Sequence, residues 1–328
     1  MQIDRRTAIA GLASVGATIV GGAAFAQASY PSANVRLIVP FAAGGGADTF
    51  ARLFSDRLGR LLGQSVIVDN RGGGGGITAG LEVSRAPADG YTLIFHSPTS
   101  GVTGPLTRRT RPFDPVSGFA PISILTISPL VLAVSNKAKV NSLAELVAKA
   151  RANPGKLTYG SSGLGGVPHL SCELLKMRAG GLDIVHAPYR GGAPAIQDVI
   201  AGNIDFIVDT PPPLLQHHRE GNLKIIAILG DGRLTLAPEI PTAREAGLDV
   251  VTRIIYYISA PPGTPGDRLN VLAKAAREIM SSADMSQELQ KIAFTPVIDS
   301  GPEHASRFIA DQVALWEPVI AAAKIQIE

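Results

Sequence analysis

Residues 35–62 read V-R-L-I-V-P-F-A-A-G-G-G-A-D-T-F-A-R-L-F-S-D-R-L-G-R-L-L, and the fold class follows from this punctuation. Leu37, Ile38 and Val39 form an apolar run of strand type, which Pro40 ends. Gly44, Gly45 and Gly46 make a turn. Phe50, Ala51, Phe54, Leu58, Leu61 and Leu62 then recur at helical spacing. A strand therefore feeds a glycine turn that opens a helix. The first N–H groups of a helix lack intrahelical acceptors and carry the positive end of its dipole. Glycine lets an anion approach them closely. The turn reads either as half of an anion site or as a tight strand–helix connection with nothing bound. Two nucleotide motifs fail here. A dinucleotide fingerprint started at Gly44 and Gly46 would need glycine where Thr49 stands, and a P-loop would need Lys-Ser/Thr where Ala47-Asp48 stands.

Working outward, 65–69 reads as a second strand, 72–76 are five glycines, 77–84 a helix and 91–95 a third strand. This βαβαβ order predicts a parallel sheet. Ligands of open α/β sheets bind at the carboxyl ends of the strands. The segments 41–46, 70–76 and 96–100, the last including His96 and Ser97, should therefore share one edge. Segments 122–127 and 130–135 read as two strands. Ser142-Leu143-Ala144-Glu145 is a capping box for a helix to about Ala152. A second α/β unit follows: strands at 157–160, 184–187, 204–209 and 224–229, helices at 168–177 and 193–201, and, after Thr210-Pro211-Pro212-Pro213, a helix to about Glu220. Its first turn, residues 160–166, is again rich in Gly and Ser. A short helix is expected at 242–246, an extended segment at 250–259, and helices at 265–282 and from 302 to about 323.

The 328 residues, 45% hydrophobic, suffice for two domains of ordinary size. The formal charge is +3, of which Asp4, Arg5 and Arg6 supply +1, leaving +2 beyond residue 28. That is no polybasic nucleic-acid binder. Arg5-Arg6 precedes a small, apolar stretch ending in Ala24-Phe25-Ala26-Gln27-Ala28, the pattern of a cleaved export signal over 1–28. The twin arginine suggests a Tat-type signal, with Sec export left open. Export places the mature, soluble protein in a bacterial periplasm. Cys172, the one cysteine, excludes an intrachain disulfide. None of the six histidines falls in H-E-x-x-H, and no carboxylate cluster accompanies them, so no metal is expected. Ser162 fails the G-x-S-x-G elbow at Leu164. Two Gly/Ser-rich helix N-termini remain, one in each unit. If the units face each other across a cleft, they can hold both ends of a small dianion without a catalytic group; otherwise they are two unrelated turns in one larger sheet.

The segments L-I-V-P-F-A-A-G-G-G-A-D (37–48), Asp69-Asn70-Arg71 with its glycines, A-D-G-Y-T-L (88–93), Y-G-S-S-G (159–163), H-A-P-Y-R-G-G-A-P-A (186–195), Pro241-Thr242 and A-P-P-G-T-P (260–265), in this order, resemble the tripartite tricarboxylate transporter receptors, the Bug family of periplasmic solute-binding proteins. The resemblance spans about 30–309. It implies a two-lobed α/β fold of the type II periplasmic-binding-protein class, each lobe a mainly parallel sheet flanked by helices, with the ligand cleft between lobes. Lobe one would hold 29–126 plus 231–328, and lobe two 127–230. It implies a receptor, not an enzyme, that needs no cofactor, acts as a monomer, and delivers a small carboxylate to integral-membrane permease subunits. Site residues carried over are Phe41, Ala42, Ala43, Gly44, Ala47 and Asp48 from one lobe. Ser161, Ser162, Gly163, Pro168, His169, Asp209 and Thr210 come from the other. His96, Ser97 and Tyr256 complete the expected lining. Ala47, Pro168 and 254–257 replace polar residues common in the family, which points to a less polar pocket. The competing readings are an exported α/β hydrolase or isomerase using the same cleft, and a sensor for a membrane signalling partner.

Overall fold

The computed structural model describes residues 30–41, 43, 46–189 and 191–328. The expected export signal, the site residues Ala42 and Gly44, and Gly45 and Arg190 lie outside the described residues. In chain order the elements are β1 (Val35–Val39), α1 (Gly46–Leu62), β2 (Val66–Asn70), α2 (Ile77–Ser84), β3 (Thr92–His96), a π turn (Thr99–Thr103), α3 (Gly104–Leu106) and β4 (Ala120–Ser135). Next come α4 (Leu143–Ala152), β5 (Thr158–Ser161), α5 (Val167–Arg178), β6 (Val185–Pro188), α6 (Gly192–Ala201), β7 (Phe206–Asp209), α7 (Pro211–Arg219) and β8 (Leu223–Leu229). The chain closes with β9 (Arg253–Ala260), α8 (Gly266–Met280), α9 (Ala283–Lys291), β10 (Thr295–Pro296) and α10 (Pro302–Ala322).

The strands run in the order β2-β1-β3-β9-β4-β7-β5-β6, with β8 and β10 also on β4. The expected parallel pairs are present: β1 lies between β2 and β3, and β5 between β6 and β7. The centre is antiparallel, where β9 joins β3 and β4 joins β9, β7 and β8. Strands fed by crossover helices run parallel, whereas β4 carries the chain directly from one part of the sheet to the other, and the return, after β8, leads into β9 beside it.

β4 overturns one expectation. Ser128-Pro129 reads as a break, yet a single 16-residue strand runs through it. Proline lacks an N–H and is tolerated where the ladder changes partner. Up to Pro129 the strand pairs with β9, and from Leu130 with β8. The short helix expected at 242–246 is only a turn: Thr242 and Glu245 make a reciprocal cap, but the chain leaves after one turn.

Alternation along the strands assigns the cores. Val35, Leu37, Val39, Leu93 and Phe95 face α1 and α8, while Ile38 and Ile94 face α2, Phe113 and Phe119. Across β4, Leu130, Leu132 and Val134 face α5, and Val131 and Ala133 face α6 and α7. α10 packs in the same cluster as α5, with Ala305, Ile309, Trp316 and Val319 buried there beside Val102 and Leu106 from the segment after β3.

Candidate ligand site

The first turn is held from below by Asn70 at the end of β2. Its Nδ2 donates to Phe41 O at 3.1 Å and to Asp48 Oδ1 at 2.9 Å, and its Oδ1 accepts from Arg52 Nη2 at 2.7 Å. Arg52 Nε completes the ring to Asp48 Oδ2 at 3.0 Å, an i,i+4 pair in the first turn of α1. Asp48 is buried and engaged in holding the turn. Phe41 and Ala47 are half-buried, and Ala43 is exposed. Asn70 and Arg52 were not singled out from the sequence as site residues. The i,i+4 spacing of Asp48 and Arg52 was the available signal.

The loops after β1, β2 and β3 do meet. A Cβ on Gly76 would lie 2.5 Å from Ser100 Cβ and 3.2 Å from Pro40 Cβ, and Gly76 has φ +88°, so only glycine fits this junction. Ser97 and Ser100 cap each other: Ser97 N donates to Ser100 Oγ at 3.0 Å, and Ser100 N to Ser97 Oγ at 3.3 Å. The π turn that follows is a distortion common at functional sites. His96 is fully buried, stacked on Tyr257 at 4.9 Å and edge-on to Phe119 at 4.8 Å. Burial lowers its pKa to about 3, so the ring is neutral. Tyr256 points to the opposite face, among Phe50, Phe95 and Phe294.

The second turn, 161–166, is built on a histidine stack. Ser161 is fully buried; its Oγ lies 2.8 Å from His186 Nε2 and donates to Gly163 O at 3.1 Å. His169 Nδ1 accepts the Gly165 N–H at 3.0 Å, and the His169 and His186 rings are stacked 3.9 Å apart. Desolvation lowers His169 to about 3 and His186 to about 4. Pro168 is buried in the first turn of α5. Ser162 and Gly163 are half-buried and face outward from this frame. The turn abuts the loop after β3: a Cβ on Gly165 would lie 3.1 Å from Thr107 Oγ1, and one on Gly166 3.9 Å from Thr99 Oγ1. Thus the 161–166 turn touches the 99–107 segment, which touches the loops after β1 and β2.

Asp209 and Thr210, at the end of β7, line a cavity of about 330 Å³ together with Ser162, Gly192, Ala193 and Gln197. A larger cavity, about 720 Å³, lies elsewhere, between 230–236, Arg253 and the α8–α9 region, and contains none of the expected site residues. Among the described residues, no group of three or more His, Cys, Asp or Glu is placed to hold a metal, and no helix is long and apolar enough to cross a membrane.

Comparison with known proteins places these features in a family context. The family model "Tripartite tricarboxylate transporter family receptor" matches residues 50–325. The protein BugT of Bordetella pertussis is 33% identical over 322 residues, covering 98% of each chain. Among solved structures, R. palustris Rpa4515 with adipate is 34% identical, with a TM-score of 0.77 over 90% of this chain and 99% of that one. MatC (Rpa3494) from Rhodopseudomonas palustris with bound malate is 28% identical, with a TM-score of 0.76 over 89% and 100%.

Proposed function

The chain belongs to the tripartite tricarboxylate transporter receptor family, and from that membership we propose that it binds a small carboxylate in the periplasm and delivers it to the integral-membrane subunits of such a transporter. The fold is that of a two-lobed, type II periplasmic binding protein. The observation that carries the reading is the contact of the 161–166 turn with the 99–107 segment after β3, which in turn meets the loops after β1 and β2. Each turn opens a helix and offers backbone N–H donors to an anion. Related structures holding adipate and malate support a carboxylate as that anion.

The hydrolase reading finds little to stand on. Two serine–histidine pairs lie here, Ser161–His186 at 2.8 Å and Ser100–His96 at 3.4 Å; both serines are fully buried, and both are engaged in holding their own turns. The reading is therefore a receptor that returns its ligand unchanged. Export by cleavage after Ala26 or Ala28 is part of this proposal. N-terminal sequencing of the periplasmic protein checks it; a mature form beginning near Met1 and sedimenting with membranes would refute it.

A carboxylate library screened by thermal shift tests the function. A ligand at 100 times its dissociation constant stabilises by about 2.7 kcal/mol. Amidation of an engaged carboxylate sets N–H against N–H and should weaken binding by roughly 10–100-fold. Amides that bind as tightly as every parent acid would overturn the carboxylate reading. Turnover of the bound compound would overturn the receptor reading.

A further inference from the structure

Asp209 is only 8% exposed. Its Oδ1 accepts the Thr210 N–H at 2.7 Å, with the Thr210 hydroxyl farther away at 3.4 Å. Its Oδ2 is buried and has no hydrogen-bond partner. Buried polar atoms are nearly always paired, so an unpaired carboxylate oxygen on a residue that lines a cavity marks a place where something else supplies the donor. The cavity wall beside it is the start of α6. Position 192 must be glycine for Oδ2 to stay clear, since a Cβ there would lie 2.6 Å from it. The N–H groups of Gly192 and Ala193 open that helix and have no intrahelical acceptor. Ser162 lines the same cavity from the second turn. Donors and an unpaired acceptor thus stand side by side.

We propose that this cavity receives a carboxylate carrying a hydrogen-bond donor on the adjacent carbon, with the carboxylate on the α6 N–H groups and the donor on Asp209 Oδ2. The ligand is then a 2-amino or 2-hydroxy acid rather than an unsubstituted dicarboxylate. The inference rests on the carboxylate-receptor reading and narrows it. A plain methylene at that carbon leaves Oδ2 unpaired, and a second carboxylate placed there meets a like charge. An ammonium or hydroxyl satisfies it.

The test is calorimetry on matched skeletons: succinate, malate and aspartate, with the corresponding five- and six-carbon sets. The best-fitting set should show a substituted member binding about tenfold or more tighter than its unsubstituted parent. In Asp209→Asn, whose Oδ1 keeps the Thr210 bond, that preference should shrink severalfold. The ligand-free melting temperature of this variant should match or exceed the wild type's, because a buried unpaired charge is gone. Equal or tighter binding of the unsubstituted acids overturns the inference and leaves the receptor reading intact. So does a variant that keeps the wild-type ranking while melting lower, which would make Asp209 a structural residue. If no member of any set binds, the carboxylate reading falls, and the inference with it.

Discussion

His169 holds the Gly165 N–H, and His186 holds Ser161, so the second turn rests on two stacked, neutral imidazoles. His96 is a third buried, neutral ring. Desolvation lowers all three from 6.5, to about 3, about 3 and about 4 for His96, His169 and His186. The unfolded chain takes up these protons near its ordinary value and the folded chain resists them. Stability that is complete above 6.5 is therefore lost as pH falls from there toward 4 and 3. Asp209, raised by burial, acts in the opposite sense. His169→Asn sets an amide oxygen where Nδ1 stood and removes one titration. Its urea midpoint should fall less steeply than that of the wild type between about pH 6.5 and pH 4.5. Parallel curves would show that His169 does not contribute. A packing test sits nearby: a Cβ on Gly101 would lie 1.8 Å from the Tyr257 hydroxyl and 3.0 Å from His96 Nδ1. Gly101→Ala should destabilise by about 1–3 kcal/mol. Adding Tyr257→Phe, which removes the colliding oxygen, should recover part of that, and a purely additive double mutant would mean that the backbone moves instead.

Elements were legible wherever pattern and punctuation agreed. α2 begins and ends at 77 and 84 as expected, and α4 opens on Ser142, whose hydroxyl accepts the Glu145 N–H at 3.1 Å. Glu145 reaches back one residue farther than the usual box, to the Asn141 N–H at 2.7 Å. Ser142→Ala should therefore cost about 1 kcal/mol, within a range of roughly 0.5–2, read from chemical denaturation. A loss near zero would mean that Glu145 alone satisfies the helix start. The Thr242–Glu245 pair has the same local chemistry and yields no helix. After Gly247 the chain is drawn into β9, and tertiary context overrides the cap. α9 and β10 were not foreseen. β10 is two residues long and exists through contacts distant in sequence, such as Thr126 Oγ1 donating to Thr295 O at 2.8 Å. Of the site, the two turns and the strand ends could be read from glycine, serine and strand spacing. The Asn70 clamp and the histidine stack could not, because their partners are brought together by the fold across 18 to 29 positions for Asn70 and 25 for Ser161–His186. Sequence reading placed Ser161 and His169 at the ligand, and the structure gives both of them buried partners of the turn itself.

At the scale of the molecule, the chain crosses between the two parts of the sheet along β4 and returns beside it. Leu130 N donates to Thr252 O at 3.3 Å, and Thr252 N to Leu229 O at 2.8 Å, so the crossings lie next to each other. Paired crossings of this kind can act as a hinge for closure around a ligand. We propose that the lobes divide there, near 127–130 and 230–252. α10 modifies this scheme. Its Ala305, Ile309, Trp316 and Val319 share one apolar cluster with α5 of the second unit and with Ile124, Ile255 and Tyr257 of the first. Prying that cluster, which also holds Val102 and Leu106, apart would expose large apolar side chains, whereas the nearest neighbours of Gly165 and Gly166 across from the 161–166 turn include Thr107, Thr99 and Ile327. We propose that opening moves the 161–166 turn away from Thr99 and Thr107 while the α10 core, with Val102 and Leu106 in it, stays shut. Trp316, the single tryptophan, is fully buried in that core and reports on it directly. Small-angle scattering should show compaction on saturation with ligand, while Trp316 emission keeps its buried maximum in both states. Trp316→Ala should destabilise by about 3–5 kcal/mol. An unchanged radius of gyration at proven saturation would sink the hinge. A red-shifted Trp316 in the ligand-free protein would instead show that α10 opens with the lobes, and that the pivot lies beyond it.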